Sequence, residues 1–398
     1  MPKDTTSPFT PGVPVPVDFF VGRLAEVERL RKKVTAATGG QLQIAFLTGE
    51  RGIGKSSLAS FVRHLVERNN QVLGLHTYLG GVESLEEMVR RVFDRLLKAS
   101  IETAWHEKVK KFFGNHIREV GLFGISLEFG APQEDLNRLV HDFAPALRNL
   151  TNQLKDEKKG IFLILDDING LAASPAFANW TKSLVDEIAT SQERLPLCLM
   201  LVGLEERRQS LIELQPSLAR VFDLIHIKAW SKEETRTFYK NAFSKAGMTI
   251  ADSALDSLTE FAGGLPVLAH EIGDAAFNLD ADGQIDSADA EKAIVAAADI
   301  VGRKHLQPQV FQAMHSTRYR SILRKLASLD AIGPQFQRSA VLKHLSKDEV
   351  RVFDNFVRRM SELGVLTKDP ERGAGCYKFP NLLHLLYFSM EAVQQKAP

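Results

Sequence analysis

The sequence predicts an α/β P-loop core, a parallel sheet flanked by helices, followed by an all-α region and a module of three helices and a hairpin. Three observations predict it. Residues Gly49 to Ser57, GERGIGKSS, contain one full match to the phosphate-binding pattern GxxxxGK[ST], set between an apolar strand and a helical run. Gly160 to Gly170, GIFLILDDING, is a continuously apolar run that ends in two carboxylates. From Ser231 onward the apolar residues recur at helical spacing.

Taken in order, residues 1–17 are rich in proline and read as a flexible arm. Leu24 to Thr35 is an amphipathic helix entered from FFVGR, and Leu42 to Thr48 (LQIAFLT) is a short apolar strand. Beyond the loop, Leu58, Phe61, Val62, Leu65 and Val66 fall at i, i+3, i+4, i+7 and i+8, one face of a helix. Strand, glycine loop and helix are the context in which this pattern holds a nucleotide. Gly49, Gly52 and Gly54 let backbone N–H groups turn inward around phosphate oxygens, Lys55 reaches the β and γ phosphates, and the Ser56 hydroxyl sits on Mg²⁺. The expected contacts with ATP in this loop are Gly49, Glu50, Arg51, Gly52, Ile53, Gly54, Lys55, Ser56 and Ser57.

A second apolar strand covers Gln71 to Leu79, and Glu83 to Ala99 and Thr103 to Phe113 read as helices. Glu119 to Gly130 (EVGLFGISLEFG) alternates as a short hairpin does, and a helix around Asp135 to Leu154 leads into the GIFLILDD strand. Unbroken apolarity suits a strand buried on both faces of a parallel sheet, and ligands of such sheets bind at the carboxyl ends of the strands. Asp166 is therefore expected to order Mg²⁺ through its water shell, and Asp167 to polarise an attacking water.

Composition agrees with a soluble intracellular enzyme, and a cytoplasmic address is expected. A chain of 398 residues, 44% hydrophobic, exceeds a single core and calls for two or three domains. Cys198 and Cys376 have neither metal-ligand spacing nor a disulfide framework. No apolar run approaches the ~18 residues of a membrane helix, and the first residues lack the order of a signal peptide. The net charge is +1, so a nucleic-acid surface has to come from uneven charge distribution.

These residues resemble the AAA+ and STAND-type P-loop ATPases, above all the branch around the origin-recognition and archaeal-type ATPases. The resemblance runs from FFVGR to the C-terminus. Phe20, Val21, Gly22, Arg23 and Glu26 match an hhGRxxE-like element, which implies that Val21, Gly22 and Arg23 help to hold adenine. The phosphate loop and the hhhhDD strand match next, and LPLCLMLVG (Leu195 to Gly203) is similar to the sensor strand. Within QPSLARVFDLIHIKAWSKEE the resemblance implies an arginine finger at Arg220, reaching the γ-phosphate of a neighbouring subunit. FAGGLPVLAHEIG is similar to the GxP element of a lid domain, with Pro266 near the nucleotide. Proline at a first helical position is also favoured for structural reasons alone, since its missing N–H has no partner there to lose. The implied divisions are a flexible arm at 1–17, a P-loop NTPase core at 18–230, an all-α lid at 231–305 and a winged-helix domain at 306–398.

Two departures matter. Many AAA+ motors carry Asp-Glu at the end of the strand where this chain has Asp166 and Asp167; the shorter second carboxylate implies slow hydrolysis and a nucleotide-held switch. The sensor strand ends in Val202, Gly203 and Leu204 without Asn, Thr or Ser, leaving Arg207 or Arg208 as substitutes.

The C-terminal module reads as helices at Tyr319 to Leu329, Arg338 to Leu345 and Lys347 to Leu363, then two short strands within Gly364 to Phe379, the winged-helix order. From Arg318 to Lys378 it carries thirteen basic and seven acidic residues, the asymmetry of a phosphate-binding surface. Arg351, Asn355, Arg358 and Arg359 on the third helix, with Lys368 and Arg372 on the wing, are the expected contacts with double-stranded DNA. The expected function is thus an ATP-dependent switch that hydrolyses Mg·ATP, self-associates across an ATP interface, binds DNA and works with a separate effector protein. The resemblance fits replication, transposition or phage defence. The alternatives are a STAND-like scaffold whose winged helix touches protein, and an ATPase without turnover that serves as an adaptor.

Overall fold

The computed structural model describes residues 6–15, 20–120, 126–311, 316–328, 334–369 and 372–394. The chain divides into two compact units, one of Pro14–Lys228 and one of Ala229–Pro398 joined by the segment Met1–Val13.

The first unit runs α1 (Leu24–Thr38), β1 (Gln43–Thr48), α2 (Lys55–Asn70), β2 (Val72–Tyr78), α3 (Leu85–Ser100), α4 (His106–Phe113), β3 (Ile117–Val120), β4 (Ser126–Phe129), α5 (Gln133–His141), α6 (Phe143–Gln153), β5 (Gly160–Asp166), α7 (Pro175–Thr190), β6 (Leu197–Val202), α8 (Glu205–Leu214) and β7 (Asp223–His226). Five strands form one parallel sheet in the order β2-β5-β6-β1-β7. Every residue of β5 and of β6 is buried, which is why both read as unbroken apolar runs. The order places β1 and β5 on either side of β6, so the loop after β1 and the carboxylates after β5 leave the same, carboxyl-terminal edge of the sheet. Leu75, Val89, Phe93, Leu97, Leu163 and Leu199 are among the buried side chains of one continuous core.

One helix of this unit differs from the sequence expectation. The single helix expected over Asp135 to Leu154 is two helices, α5 and α6, that break at Asp142. Pro145 lacks the N–H that would bond the His141 carbonyl four residues back, and its ring clashes with that carbonyl in a continuous helix. The hairpin is present as β3 paired antiparallel with β4, while its turn, residues 121–125, lies outside the described residues.

The second unit runs α9 (Lys232–Lys245), β8 (Thr249–Ile250), α10 (Asp252–Ala262), α11 (Pro266–Leu279), β9 (Gln284–Ile285), α12 (Ser287–Val301), a π-helical stretch over 302–311, α13 (Thr317–Ser328), β10 (Gln335–Gln337), α14 (Arg338–Leu342), α15 (Lys347–Glu362), β11 (Thr367–Lys368), β12 (Cys376–Lys378) and α16 (Leu382–Gln394). Reciprocal capping boxes start three of these helices: Ser231 with Glu234, Asp286 with Asp289, and Ser346 with Glu349. The region expected to be wholly helical also holds a small parallel pair, β8 with β9. Farther on, β10, β12 and β11 form an antiparallel sheet in that order, with α14 and α15 between β10 and β11 in the chain.

The N-terminal segment is fastened over part of the length expected to be a flexible arm. Phe9 is 3% exposed, with its ring 5.0 Å from that of Phe243 and 5.7 Å from that of Phe238. The Thr10 amide donates to His270 Nδ1 at 3.0 Å. Gly273 makes the seat possible, since a Cβ there would stand 2.3 Å from the Phe9 ring. Aromatic burial and one long-range hydrogen bond thus hold residues that composition alone marks as loose.

Candidate functional site

The site is built from the loop between β1 and α2 and from the chain leaving β5. Gly49 has φ +153°, and a Cβ on it would lie 2.7 Å from the Ile227 carbonyl oxygen, so only glycine fits where the loop turns off the sheet. Gly54 is the N-cap of α2 with φ 91°, and no side chain caps that helix. The first N–H groups of α2 keep no intrahelical acceptor and point out of the helix toward the loop, an anion site in waiting. Lys55 opens α2, and its Nζ donates to the carbonyls of Gly49 at 2.9 Å and Glu50 at 2.8 Å. Burial pushes the Lys55 ammonium below its ordinary pKa, against the opposing pull of Asp166 and Asp167.

Asp166 is the last residue of β5, and its carboxylate is buried. His76 Nε2 lies 2.8 Å from Asp166 Oδ2, and both side chains are 3% exposed. The Leu79 amide donates to the Asp166 carbonyl at 2.7 Å, tying the ends of β2 and β5 together. Asp167, next along, is exposed and has φ 59°, in the left-handed region that few residues other than glycine, asparagine and aspartate adopt. The Asn169 amide donates to Asp167 Oδ1, and Asn169 Oδ1 in turn accepts from the Leu204 amide at 3.1 Å.

Arg23 is 8% exposed, donates through Nη1 to the Lys228 carbonyl and through Nη2 to the Ile53 carbonyl at 3.2 Å, and so braces the phosphate loop through its backbone. Val21 and Gly22 lead into it, and Phe20 stacks on Phe61 of α2 at 4.3 Å. Ser57 Oγ accepts from the Val15 amide at 3.2 Å, while Ser56 is half-buried and Glu50 and Arg51 are exposed. Ile53 is buried, Gly52 has φ 77°, and Arg220 stands exposed at the end of a 3₁₀ turn over Pro216–Arg220. Arg208 is ion-paired with Glu205 one turn earlier in α8, so its charge is already met. Pro266 belongs to the other unit, where it is the first residue of α11 just after Gly264, whose carbonyl accepts from the Trp230 amide at 2.8 Å. In the C-terminal helices, Arg351 faces Asp348 at 3.6 Å, Arg358 donates to Asn355 at 3.2 Å, and Arg359 pairs with Glu362 at 3.0 Å. Lys368 and Arg372 are exposed.

His76 and Asn169 are the site residues that sequence reasoning passed over. His76 had a signal, an imidazole inside a strand otherwise made of apolar, glycine and threonine residues. Asn169 lay in the GIFLILDDING run itself, two residues beyond Asp167, and supplies a polar group at the end of β6 where Val202, Gly203 and Leu204 supply no polar side chain.

The donor set suits a magnesium ion. Ser56 and Asp166 offer one hydroxyl and one carboxylate, and Mg²⁺ takes few protein oxygens because it keeps waters and phosphate oxygens. Among the described residues no group of three or more His, Cys, Asp or Glu side chains forms a denser cage.

Residues 20–202 match the family model of the AAA ATPase domain. Among curated proteins none matches the chain. Among solved structures it is similar to a Walker-type ATPase of Pyrococcus abyssi, at 15% identity over 98% of this chain and 99% of that one, TM-score 0.56. It is also similar to the ORC2 protein of Aeropyrum pernix in its ADPNP and ADP complexes, at 13% identity over 94% and 95%, TM-score 0.59. At such identities the likeness is one of fold. Among the described residues no helix is long and apolar enough to cross a membrane. The glycine loop at the start of α2 and the carboxylates at the end of β5 lie within the residues that match the AAA ATPase domain model.

Proposed function

We propose that the protein is a slow ATP-dependent switch in the cytoplasm that hydrolyses Mg·ATP, self-associates in its ATP state and engages double-stranded DNA through a C-terminal winged helix, in a replication, transposition or phage-defence role with a separate effector protein. The observation that carries the catalytic half is the pairing of an uncapped α2 N-terminus and Lys55 with the carboxylates Asp166 and Asp167 at the same sheet edge. Ser56 and Asp166 would hold Mg²⁺, which when bound neutralises charge on the transferring phosphoryl oxygens. The α2 amides take the phosphate oxygens, and the Lys55 ammonium exchanges two backbone carbonyls for the β and γ phosphates. Asp167 accepts a hydrogen bond from the attacking water and aligns its lone pair, while Asn169 keeps that carboxylate from swinging. Glutamate would reach one methylene farther, so the aspartate accords with a long-lived ATP state. Arg220, exposed and near the end of the domain, is the residue we assign to a neighbouring subunit's γ-phosphate. Pro266, at the start of α11, we assign to a lid over the nucleotide.

The order α13, β10, α14, α15, β11, β12 supports the winged-helix reading, and Arg351, Asn355, Arg358, Arg359, Lys368 and Arg372 are its DNA contacts. A second reading has one specific observation in its favour. Arg351, Arg359 and Arg338 each already face an acidic side chain, Asp348, Glu362 and Asp354, as befits a solvated helix that touches protein. Light scattering on size-exclusion fractions separates the two, with Mg·ATP or ADP and with or without a ~40-bp duplex spanning several helical turns. The DNA-binding switch predicts a larger species with ATP and duplex that ADP disperses and that Arg358→Glu with Arg359→Glu abolishes. A size change with ATP that ignores duplex at low salt favours the protein-contact reading.

A further inference from the structure

We propose that His76 is a positioning residue of the nucleotide-metal site, presetting the Asp166 carboxylate so that one oxygen is committed to the protein and the other is left for the metal's water shell. The inference deepens the Mg·ATP reading and rests on it. β2 is an edge strand beside β5, and its register sets Tyr78 opposite Asp166 and His76 opposite Ile164. His76 therefore reaches along the strand, two residues, to meet the Asp166 side chain. A polar ring so deeply buried costs stability unless it is bonded, and its bond is the one to Asp166 Oδ2 at 2.8 Å. An ionised carboxylate only accepts, so Nε2 donates and the imidazole carries its proton there.

The ring has little freedom to release that bond. Tyr78 stacks on it at 4.4 Å with planes 25° apart, as two residues on one face of a strand do. The Asp166 backbone is held too, through its carbonyl and the Leu79 amide. Carboxylate, imidazole and phenol thus lie in one row at the carboxyl edge of the sheet. Groups that hydrogen-bond a metal-ligating side chain from behind fix its orientation, and their loss costs about 10–100-fold in metal affinity.

The test is the Mg²⁺ concentration that half-saturates binding of a fluorescent ATP analogue, compared with binding of the same analogue in EDTA. His76→Phe keeps an aromatic ring and loses the donor; His76→Gln keeps a donor near the position of Nε2. The proposal expects His76→Phe to need about tenfold more Mg²⁺ or above, with binding in EDTA close to wild type and with His76→Gln restoring most of the metal response. Should the phenylalanine variant fail to fold, His76→Asn, whose amide is too short to reach Oδ2, takes its place with the same expectation. A wild-type Mg²⁺ requirement in the donor-less variant overturns the proposal, and so does a shift of equal size in His76→Gln, which marks a packing role. If the wild-type protein binds the analogue equally well with and without Mg²⁺, the metal reading itself falls, and the proposal with it.

Discussion

Lowering the pH should loosen the seat of the N-terminal segment, because His270 is buried in its neutral form. Burial pushes its imidazole down from an ordinary 6.5 to about 4. Nδ1 accepts the Thr10 amide, so a proton on that nitrogen would face another hydrogen, and Nε2 has no hydrogen-bond partner among the described residues to reward a charge. Since the unfolded chain takes up the proton more readily, this contribution to stability is fully present above 6.5 and is lost as the pH falls toward 4. Integrating between those two values, the loss at about pH 5 is about 2 kcal/mol, an order-of-magnitude figure for a side chain in this setting. Trp230 reports on it, its ring lying 5.2 Å from Phe238, which packs on His270 at 4.8 Å. In a background with Trp105 and Trp180 replaced by phenylalanine, urea unfolding followed by Trp230 fluorescence measures the effect. His270→Asn, whose amide oxygen falls near the position of Nδ1 and so still accepts from Thr10 but does not titrate, is the reference. Wild type should lose about 2 kcal/mol more than this variant between about pH 7.5 and about pH 5. Equal losses would refute the burial argument.

Asp167→Ala should leave nucleotide binding near wild type while lowering ATP turnover by about 10²-fold or more, read by phosphate release under single-turnover conditions; unchanged turnover would remove Asp167 from the chemistry. Gly273→Ala should destabilise the unit that holds Phe9 by about 1–3 kcal/mol, because its Cβ would stand 2.3 Å from that ring. Thermal melting checks it, and the double variant with Phe9→Ala should lose less than the sum of the two single changes.

The phosphate loop and the β5 carboxylates were legible in the sequence because their physics is local. Glycines at fixed offsets, a lysine at the first helical position and an unbroken apolar strand each show in a run of about ten residues. The rest depends on register and packing between distant segments. His76 and Asp166 are 90 residues apart, and nothing short of the β2–β5 pairing brings them together. Arg23 matched an element expected to hold adenine, yet its guanidinium spans two backbone carbonyls beside the loop, a destination that spacing does not encode. Pro145 was a legible break that a helical apolar pattern concealed. Phe9, inside a proline-rich stretch, is buried because Gly273 of α11 leaves room for it among four rings, Phe238, Tyr239 and Phe243 of α9 and His270 of α11, a complementarity visible in three dimensions alone.

The most direct test is calorimetric titration of Mg·ATP into wild type and Lys55→Ala. The account predicts one nucleotide per chain for wild type and affinity at least about tenfold weaker without the ammonium, which forms charge-assisted hydrogen bonds to phosphate. Equal affinity in the two proteins would contradict the assignment of residues 49–57 as the ATP site.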